Sequence, residues 1–370
     1  MAHYVWQLAT WPEFEWESET LLKPLGATRG AQGRLLAKAE LFGLELQAEV
    51  LAEEAFTTAA IEGEKLDRRS VRSSVARRLG LPTAGLPPVE RHIDGLVQML
   101  IDATTGHDQP LDGDRLKGWH AALFPTGYSA LNKIMVGDWR PAAADPMQVV
   151  SGPVGREKIH YEAPPAARLE EEMARLFAWW RDPPEQLDGL VRAALAHLWF
   201  VTIHPFEDGN GRIARALADM ALAQDERSDC RLYSMSAQIN LERDEYYDVL
   251  ERTQKGDGDV TAWLQWFLGC QERSLRRSEE QVEQAMRKAR FWQQCAEMSL
   301  NKRQQKVINR LLDAGPDGFE GGLTNRKYRS MTTVPPTTAK RDLADLLRKG
   351  LIKPNPGGGR SVSYALVWPA

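Results

Sequence analysis

The chain has 370 residues, 43% of them hydrophobic, with 47 Lys and Arg against 51 Asp and Glu, a net charge of −4. That length predicts two or three domains and a core large enough to need no disulfide or metal staple. The composition excludes a disordered chain and an integral membrane protein, and the charge balance gives the whole chain no attraction for nucleic acid or an anionic membrane.

The balance conceals an asymmetry. Residues 301–370 hold 13 Lys and Arg but only 5 Asp and Glu, a net of +8, so the remainder is acidic at −12. The tail therefore poses a nucleic-acid question of its own. Three cysteines, Cys230, Cys270 and Cys295, without a CxxC give neither a disulfide framework nor a thiolate metal site. The first twenty residues lack the basic-then-apolar order of a signal peptide, and no run of eighteen residues is continuously apolar. The expected compartment is the cytoplasm, with no membrane partner.

Residues 1–20 carry Trp6, Trp11 and Trp16 with Phe14 between them, and read as a segment docking its aromatics on later helices. A helix is expected over 33–58, from the apolar spacing of Leu36, Ala39, Leu44, Ala48, Leu51 and Ala55. A short basic helix over 68–79 follows. Three prolines and two glycines then mark residues 79–90 as a linker. Two helices are expected within 91–123. The next stretch, 125–165, is the least helical of the chain. Its β-capable runs at 148–151 and 158–161 flank a Gly-Pro-Val-Gly turn and predict a hairpin. Helical patterning resumes at 166 and continues to about 294. The tail reads as three helices and a terminal hairpin around a Gly-rich turn, the order of a winged helix-turn-helix, with Thr337 or Thr338 capping the third helix.

The stretch VTIHPFEDGNGRIARALADMAL, residues 201–222, carries the chemistry. An apolar helix stops at His204, because the following Pro205 disfavours helical geometry before it. Gly209 and Gly211 let a ligand approach the backbone closely, and the helix opening there turns its N–H groups toward an anion. Arg212 and Arg215, three apart, add two guanidinium forks on one face. Asp208 is a hard oxygen ligand of the kind Mg²⁺ takes beside a nucleotide, and His204 is the one local group able to act as a base near neutral pH. Together they predict nucleotide or phosphate binding.

The string His204-x-Phe206-x-Asp208-Gly209-Asn210-Gly211-Arg212-x-x-Arg215 also resembles the signature HxFx[DE]GNGRxxR of the Fic family (filamentation induced by cAMP), without departure. The wider likeness covers about 91–294. The resemblance implies a mostly α protein: a Fic helical core with a β-hairpin flap, a helical N-terminal segment and a C-terminal winged helix-turn-helix. The corresponding divisions are 1–88, 89–295 and 296–370. It implies a protein adenylyltransferase that moves AMP from ATP to a Ser, Thr or Tyr hydroxyl of a protein and releases pyrophosphate. On that reading His204 is the base, and Asp208 holds Mg²⁺. Gly209, Asn210 and Gly211 form the anion hole, and Arg212 and Arg215 grip the β- and γ-phosphates. Phe206 belongs to the same nucleotide-binding set, its ring packing into the core to anchor the loop.

Two further segments fit the resemblance. The hairpin carrying Val149, Val150, Ile159 and Tyr161 stands where the family's flap registers a target segment, and Tyr246 and Tyr247 match an aromatic pair near the adenine. Upstream, Thr58-x-x-x-Glu62-Gly63 is similar to the family's inhibitory motif [ST]xxxE[GN], which implies a Glu62–Arg215 pair that denies the arginine to the γ-phosphate. The opening tract, with its tryptophans, is also similar to the start of many bacterial Fic proteins, and such proteins often look dimeric. Three alternatives stay open. Glu62 could orient water to remove AMP instead, the core could sense nucleotide for a tail that binds DNA through 301–370, and the donor could be UTP or another nucleotide.

Overall fold

In the computed structural model, residues 4–39, 43–143, 146–152, 156–315, 319–356 and 362–368 are described. The chain divides into two compact units, Met1–Ser278 and Glu279–Ala370. Among the described residues no helix is long and apolar enough to cross a membrane.

The first unit is built around two helices, α7 (Gly189–Ile203) and α8 (Asn210–Glu226). Helix α7 buries side chains on every side, from Leu190 to Ile203, so it can only be a central helix. Asp188 caps its start, accepting from the Leu190 N–H at 2.8 Å. A Cβ on Gly189 would lie 2.1 Å from the Asp225 carboxylate, so the start of α7 lies against the end of α8. The two helices therefore run antiparallel, and the turn between them, 204–209, is the glycine-rich stretch singled out above.

Around this pair pack α1 (Ser18–Leu36), α2 (Leu44–Ile61), α3 (Arg68–Arg78), α4 (Arg91–Thr105), α5 (Gly113–Leu123), α6 (Leu169–Arg181), α9 (Met235–Leu241) and α10 (Arg243–Gln254). The long α11 (Thr261–Gln294) begins in this unit. Two antiparallel hairpins complete it: β1–β2 (Tyr128–Ser129 and Asn132–Lys133) and β3–β4 (Gln148–Ser151 and Lys158–Glu162). The fold is mostly α, as the sequence predicts. Trp6 and Trp11 are buried and their indole N–H groups donate to Glu162 O at 2.7 Å and Glu172 Oε2 at 2.8 Å, whereas Trp16 is half-exposed.

The helix expected over 33–58 is instead two helices, α1 and α2. Glycines at 26, 30 and 33 and Pro24 masked the first of them, which forms because Leu21, Ala31 and Leu35 are buried. Gly43 caps the second. Residues 153–155, the turn expected in the β3–β4 hairpin, lie outside the described residues.

The second unit contains α12 (Lys302–Ala314), α13 (Asn325–Thr332) and α14 (Pro336–Arg348). They pack around Val307, Ile308, Leu311, Tyr328, Leu343 and Leu346, with Phe291 and Cys295 joining the same core. A three-stranded antiparallel sheet, in the order β5 (Leu323–Thr324), β7 (Ser363–Leu366), β6 (Ile352–Pro354), lies beside them. The short β5 was not foreseen, and the Gly-rich turn between β6 and β7 lies outside the described residues. Neither Thr337 nor Thr338 caps α14. Pro335 stands at the cap and Pro336 at the first helical position, where a fixed φ and a missing N–H cost nothing.

Candidate active site

His204 ends α7 in a left-handed conformation, φ 52° and ψ 58°, which a side chain other than glycine seldom takes. Its Nδ1 lies 3.2 Å from the Val201 carbonyl, which can only accept. Nδ1 therefore carries the hydrogen, and Nε2 keeps a lone pair. Burial pushes the imidazole down to about 4, against the opposing pull of the Val201 carbonyl, so the ring is neutral at neutral pH.

The turn after His204 is locked from inside. The Asn210 amide accepts from the Phe206 N–H at 3.0 Å and donates to the Phe206 carbonyl at 2.8 Å. The Phe206 ring is fully buried and stacks on His120 at 4.2 Å, so Phe206 and the Asn210 side chain brace the loop and present neither group to a ligand. Gly209 has φ 82°, and a Cβ there would come within 2.9 Å of the Phe124 ring. Outside the loop, the buried Arg140 donates to the His204 carbonyl at 2.8 Å and to the Pro164 carbonyl, while its own N–H donates to Pro205 O at 2.8 Å.

The opening turn of α8 faces the end of α2. Gly63, at φ 82°, closes α2 with its N–H on Ala60 O and the Glu64 N–H on Ala59 O, a Schellman motif. That turn sends two carboxylates toward α8. Glu62 Oε1 accepts from Arg215 Nη2 at 2.8 Å, and Glu64 Oε2 accepts from Arg212 Nη1 at 3.0 Å. Arg215 is buried and also donates to Thr58 Oγ1 at 2.7 Å and to the Thr58 carbonyl at 2.9 Å. Burial alone would lower its pKa, but Glu62 beside it more than compensates and raises it. Gly211 lies so close that a Cβ there would be 2.2 Å from Glu62 Oε1. The Glu62 carboxylate thus covers the helix N-terminus where an anion would sit.

Glu62, His204 and Gly211 line one cavity of about 470 Å³ with Val150, Tyr247 and Glu251. Asp208, on the loop before α8, has a side chain 42% exposed; it accepts from the Gly209 N–H at 2.5 Å and from the Ser129 hydroxyl. Among the described residues no three His, Cys, Asp or Glu side chains gather into a metal cluster.

The β3–β4 hairpin forms another wall. Val149 pairs with Tyr161 and Val150 with Ile159, so His160 is the extra residue of a β-bulge. Val150 and Ile159 are exposed, 48% and 45%. Tyr161 is not: its hydroxyl donates to Thr202 O at 2.7 Å and its ring meets Tyr4 edge-on, so it pins the hairpin to α7. Tyr246 is buried with its hydroxyl 3.0 Å from His197 Nε2. Tyr247 is 36% exposed and donates to the Ile61 carbonyl at 3.2 Å, which Arg243 also engages at 2.8 Å.

The residues expected from the motif are therefore assembled in one place, together with Thr58, Glu62 and Gly63. The sequence reading passed over Arg140, His120, Glu64, Ser129 and the group Ser151, His160 and Glu251. Only Glu64 left a visible sign, a second carboxylate two residues after Glu62 to match a second arginine.

Residues 110–222 match the profile described as the Fic/DOC family, and residues 4–81 match a domain of unknown function, DUF4172. The protein adenylyltransferase Fic of Nematostella vectensis is 34% identical over 114 residues, 30% of this chain and 25% of that protein. The protein adenylyltransferase fic-1 of Caenorhabditis briggsae is 42% identical over 108 residues, 29% of this chain and 20% of that protein. A uridine 5'-monophosphate transferase of Xanthomonas campestris is 39% identical over 67 residues, 16% of this chain and 12% of that protein. The chain thus spans a quarter or less of the length of these relatives. The crystal structure of a Fic family protein from Desulfovibrio desulfuricans G20 shares the fold, with a TM-score of 0.53 at 18% identity over 94% of this chain and 96% of that one. The chain thus carries a Fic/DOC domain over residues 110–222, within a fold that it shares with a Fic family protein.

Proposed function

We propose that the chain is an autoinhibited protein adenylyltransferase, which transfers AMP from ATP to a hydroxyl of a protein. The observation that carries this reading is the Glu62 carboxylate on Arg215 at the Gly211 helix terminus, in one cavity with a neutral His204. The named relatives support it over the part of the chain they match.

In the proposed reaction the target hydroxyl gives its proton to His204 Nε2 as its oxygen attacks the α-phosphorus. The bond to the bridging oxygen breaks and pyrophosphate leaves. Positioning and charge stabilisation do most of the work in such transfers. The first N–H groups of α8 would hold phosphate oxygens, and Arg212 and Arg215 would take the outer phosphates once Glu62 and Glu64 withdraw. Asp208, a single partly exposed carboxylate beside that cradle, fits Mg²⁺, which enters such sites through one or two carboxylates and the phosphates. The ion would supply positive charge between phosphate groups. Val150 and Ile159 would offer the target an apolar strand edge, and Tyr247 would face the base. Residues 1–88 would act as the inhibitory part and 89–295 as the catalytic one.

Labelling with α-labelled ATP and Mg²⁺ tests the reading. Strong label on Glu62→Gly, little on the wild type and none on Glu62→Gly/His204→Ala is the expected pattern. ATP bound without transfer would favour the hydrolytic removal of AMP from a modified protein, for which a partly exposed Glu62 could aim a water. Label from UTP in preference to ATP would change the donor but not the site.

A second reading concerns the tail, which we take as a winged helix. Arg326, Arg329, Lys340 and Arg341 are exposed on α13 and α14, and their net charge favours a nucleic-acid backbone. Retention of the full chain on DNA should then fall steeply with salt; no salt slope would remove DNA as a partner.

A further inference from the structure

The β1–β2 hairpin and the motif loop grip each other through two hydrogen bonds that the transfer reaction above leaves unused. Ser129, which ends β1, donates from its hydroxyl to Asp208 Oδ2. In return Glu207 Oε2 accepts from the Met135 N–H, just beyond β2, at 2.5 Å. The partners stand 79 and 72 residues apart in sequence, so only the fold brings them together. Ala130 and Leu131 make the turn between the strands, and Ala130 takes φ 50°, a left-handed conformation unfavourable for alanine. Such strain persists where surrounding contacts over-determine the backbone. The two bonds to the loop supply such contacts, together with the Ile134 N–H on the Gly127 carbonyl at 3.1 Å.

Both oxygens of the Asp208 carboxylate are thereby tethered. Oδ1 accepts from the Gly209 N–H at 2.5 Å and Oδ2 from Ser129, while Arg212 Nη2 stands off at 3.9 Å from Oδ1. A carboxylate only accepts, and one bond to each oxygen leaves each a further lone pair for a cation. The terminal torsion of an aspartate is soft, so an untethered carboxylate would sample many orientations. The Gly209 N–H belongs to the same loop and moves with it. Ser129 is the tether that comes from another element. Mg²⁺ demands near-octahedral geometry, and groups that bond to its ligands orient them for it.

We propose that Ser129 is a positioning residue for Mg²⁺, fixing the plane of the Asp208 carboxylate so that its open face meets the ion of the nucleotide. This rests on the adenylyltransferase reading and on its placement of Mg²⁺ at Asp208. Ser129 acts only through Asp208. Glu207, at a motif position open to any residue, sets where Ser129 stands by holding the far end of the hairpin at Met135. The motif loop thus secures the hairpin that orients its own metal ligand.

The test measures ATP affinity by calorimetry on the full chain carrying Glu62→Gly and His204→Ala, once in EDTA and once in saturating Mg²⁺. The ratio of the two affinities reads the contact between protein and metal without turnover. Adding Ser129→Ala should cut that ratio about tenfold, the low end for loss of a partner behind a metal ligand, and leave the affinity in EDTA unchanged. Ser129→Thr, which keeps the hydroxyl, should restore the ratio. In a background that also carries Asp208→Ala, Ser129→Ala should change nothing further, because the two act as one unit. An unchanged ratio in Ser129→Ala, an equal loss of affinity in EDTA, or a loss that persists without Asp208 overturns the proposal and leaves the transferase reading standing. A ratio insensitive to Asp208→Ala would remove the metal placement and the proposal together. Failure of the parent variant to bind ATP at all would remove the transferase reading as well.

Discussion

Glu64 Oε2 accepts from Arg212 Nη1 at 3.0 Å, two residues beyond the carboxylate that engages Arg215. Each arginine of the motif is therefore matched by one carboxylate from the turn that ends α2. Two oxyacids separated by Gly63 stand opposite two guanidinium groups, an arrangement that copies the charge pattern of adjoining phosphates.

If Glu64 competes with a phosphate for Arg212, Glu64→Gln should bind ATP more tightly than the wild type. The pair is partly exposed, so the gain is about 1 kcal/mol, or about fivefold. Combined with Glu62→Gly it should add a further gain. Calorimetry decides the sign. A weaker affinity would mean that Glu64 holds Arg212 ready for the nucleotide instead of withholding it.

The low pKa of His204 makes an unusual demand on the rate profile. An ordinary histidine base loses activity as pH falls below about 6.5. With His204 held near 4, the single-turnover rate of Glu62→Gly should stay level from about pH 8 to about pH 5 and fall only below that. A midpoint near 6.5 would show that a different group takes the proton.

Stability should pass through a maximum near pH 6.5. Burial holds His120 and His204 to about 4 and His197 to about 3, so the unfolded chain binds more protons than the folded one below about 6.5. Stability from these three groups is present above that pH and is lost as pH falls toward 4. Asp219 acts in the other direction. Burial and the neighbouring Glu54 raise it to about 8, so its contribution is present at low pH and is lost as pH rises to 8. Urea midpoints measured from pH 5 to 8 should rise and then decline, and Asp219→Asn should flatten the alkaline limb. An unchanged limb in that variant would exclude Asp219 as its source.

Arg140 ties the end of α7 to the segment that follows β4, through the His204 carbonyl on one side and the Pro164 carbonyl on the other. Removing it leaves buried carbonyls unpaired, a cost of about 2–4 kcal/mol. Arg140→Ala should lower the melting temperature by roughly 5–10 °C. Turnover should fall more than ATP affinity, because the residue positions His204 and touches no phosphate. Equal losses in both would assign Arg140 to the nucleotide site.

The parts of the site legible in the sequence are those whose geometry is local. His204-Pro205 stops a helix by its own sterics, and Gly209 to Arg215 lie on one loop and the helix it opens, so spacing alone placed them. Glu62 was legible because its motif is also contiguous. Arg140, Ser129, His160 and Glu251 act across large sequence separations, joined only by packing, and nothing in their neighbourhoods marks them. The bulge at His160 breaks the alternation by which a strand is read, so the direction of that side chain could not be inferred. Tyr161 was grouped with residues facing a target because alternation cannot say which face is core. Helix α1 was obscured by Pro24 and three glycines, whose unfavourable propensities are overridden by the burial of Leu21, Ala31 and Leu35.

Gly211 leaves a vacancy about the size of one methyl group at the start of α8, and Glu62 fills it. On the adenylyltransferase reading a phosphate oxygen needs the same vacancy when the enzyme is active. Inhibitor and substrate therefore share one lodging, and any side chain at 211 evicts both. A variant such as Gly211→Ala would be released from restraint and crippled in the same step. Activating changes must arise at the guest, in the turn from Glu62 to Glu64, and not at the door.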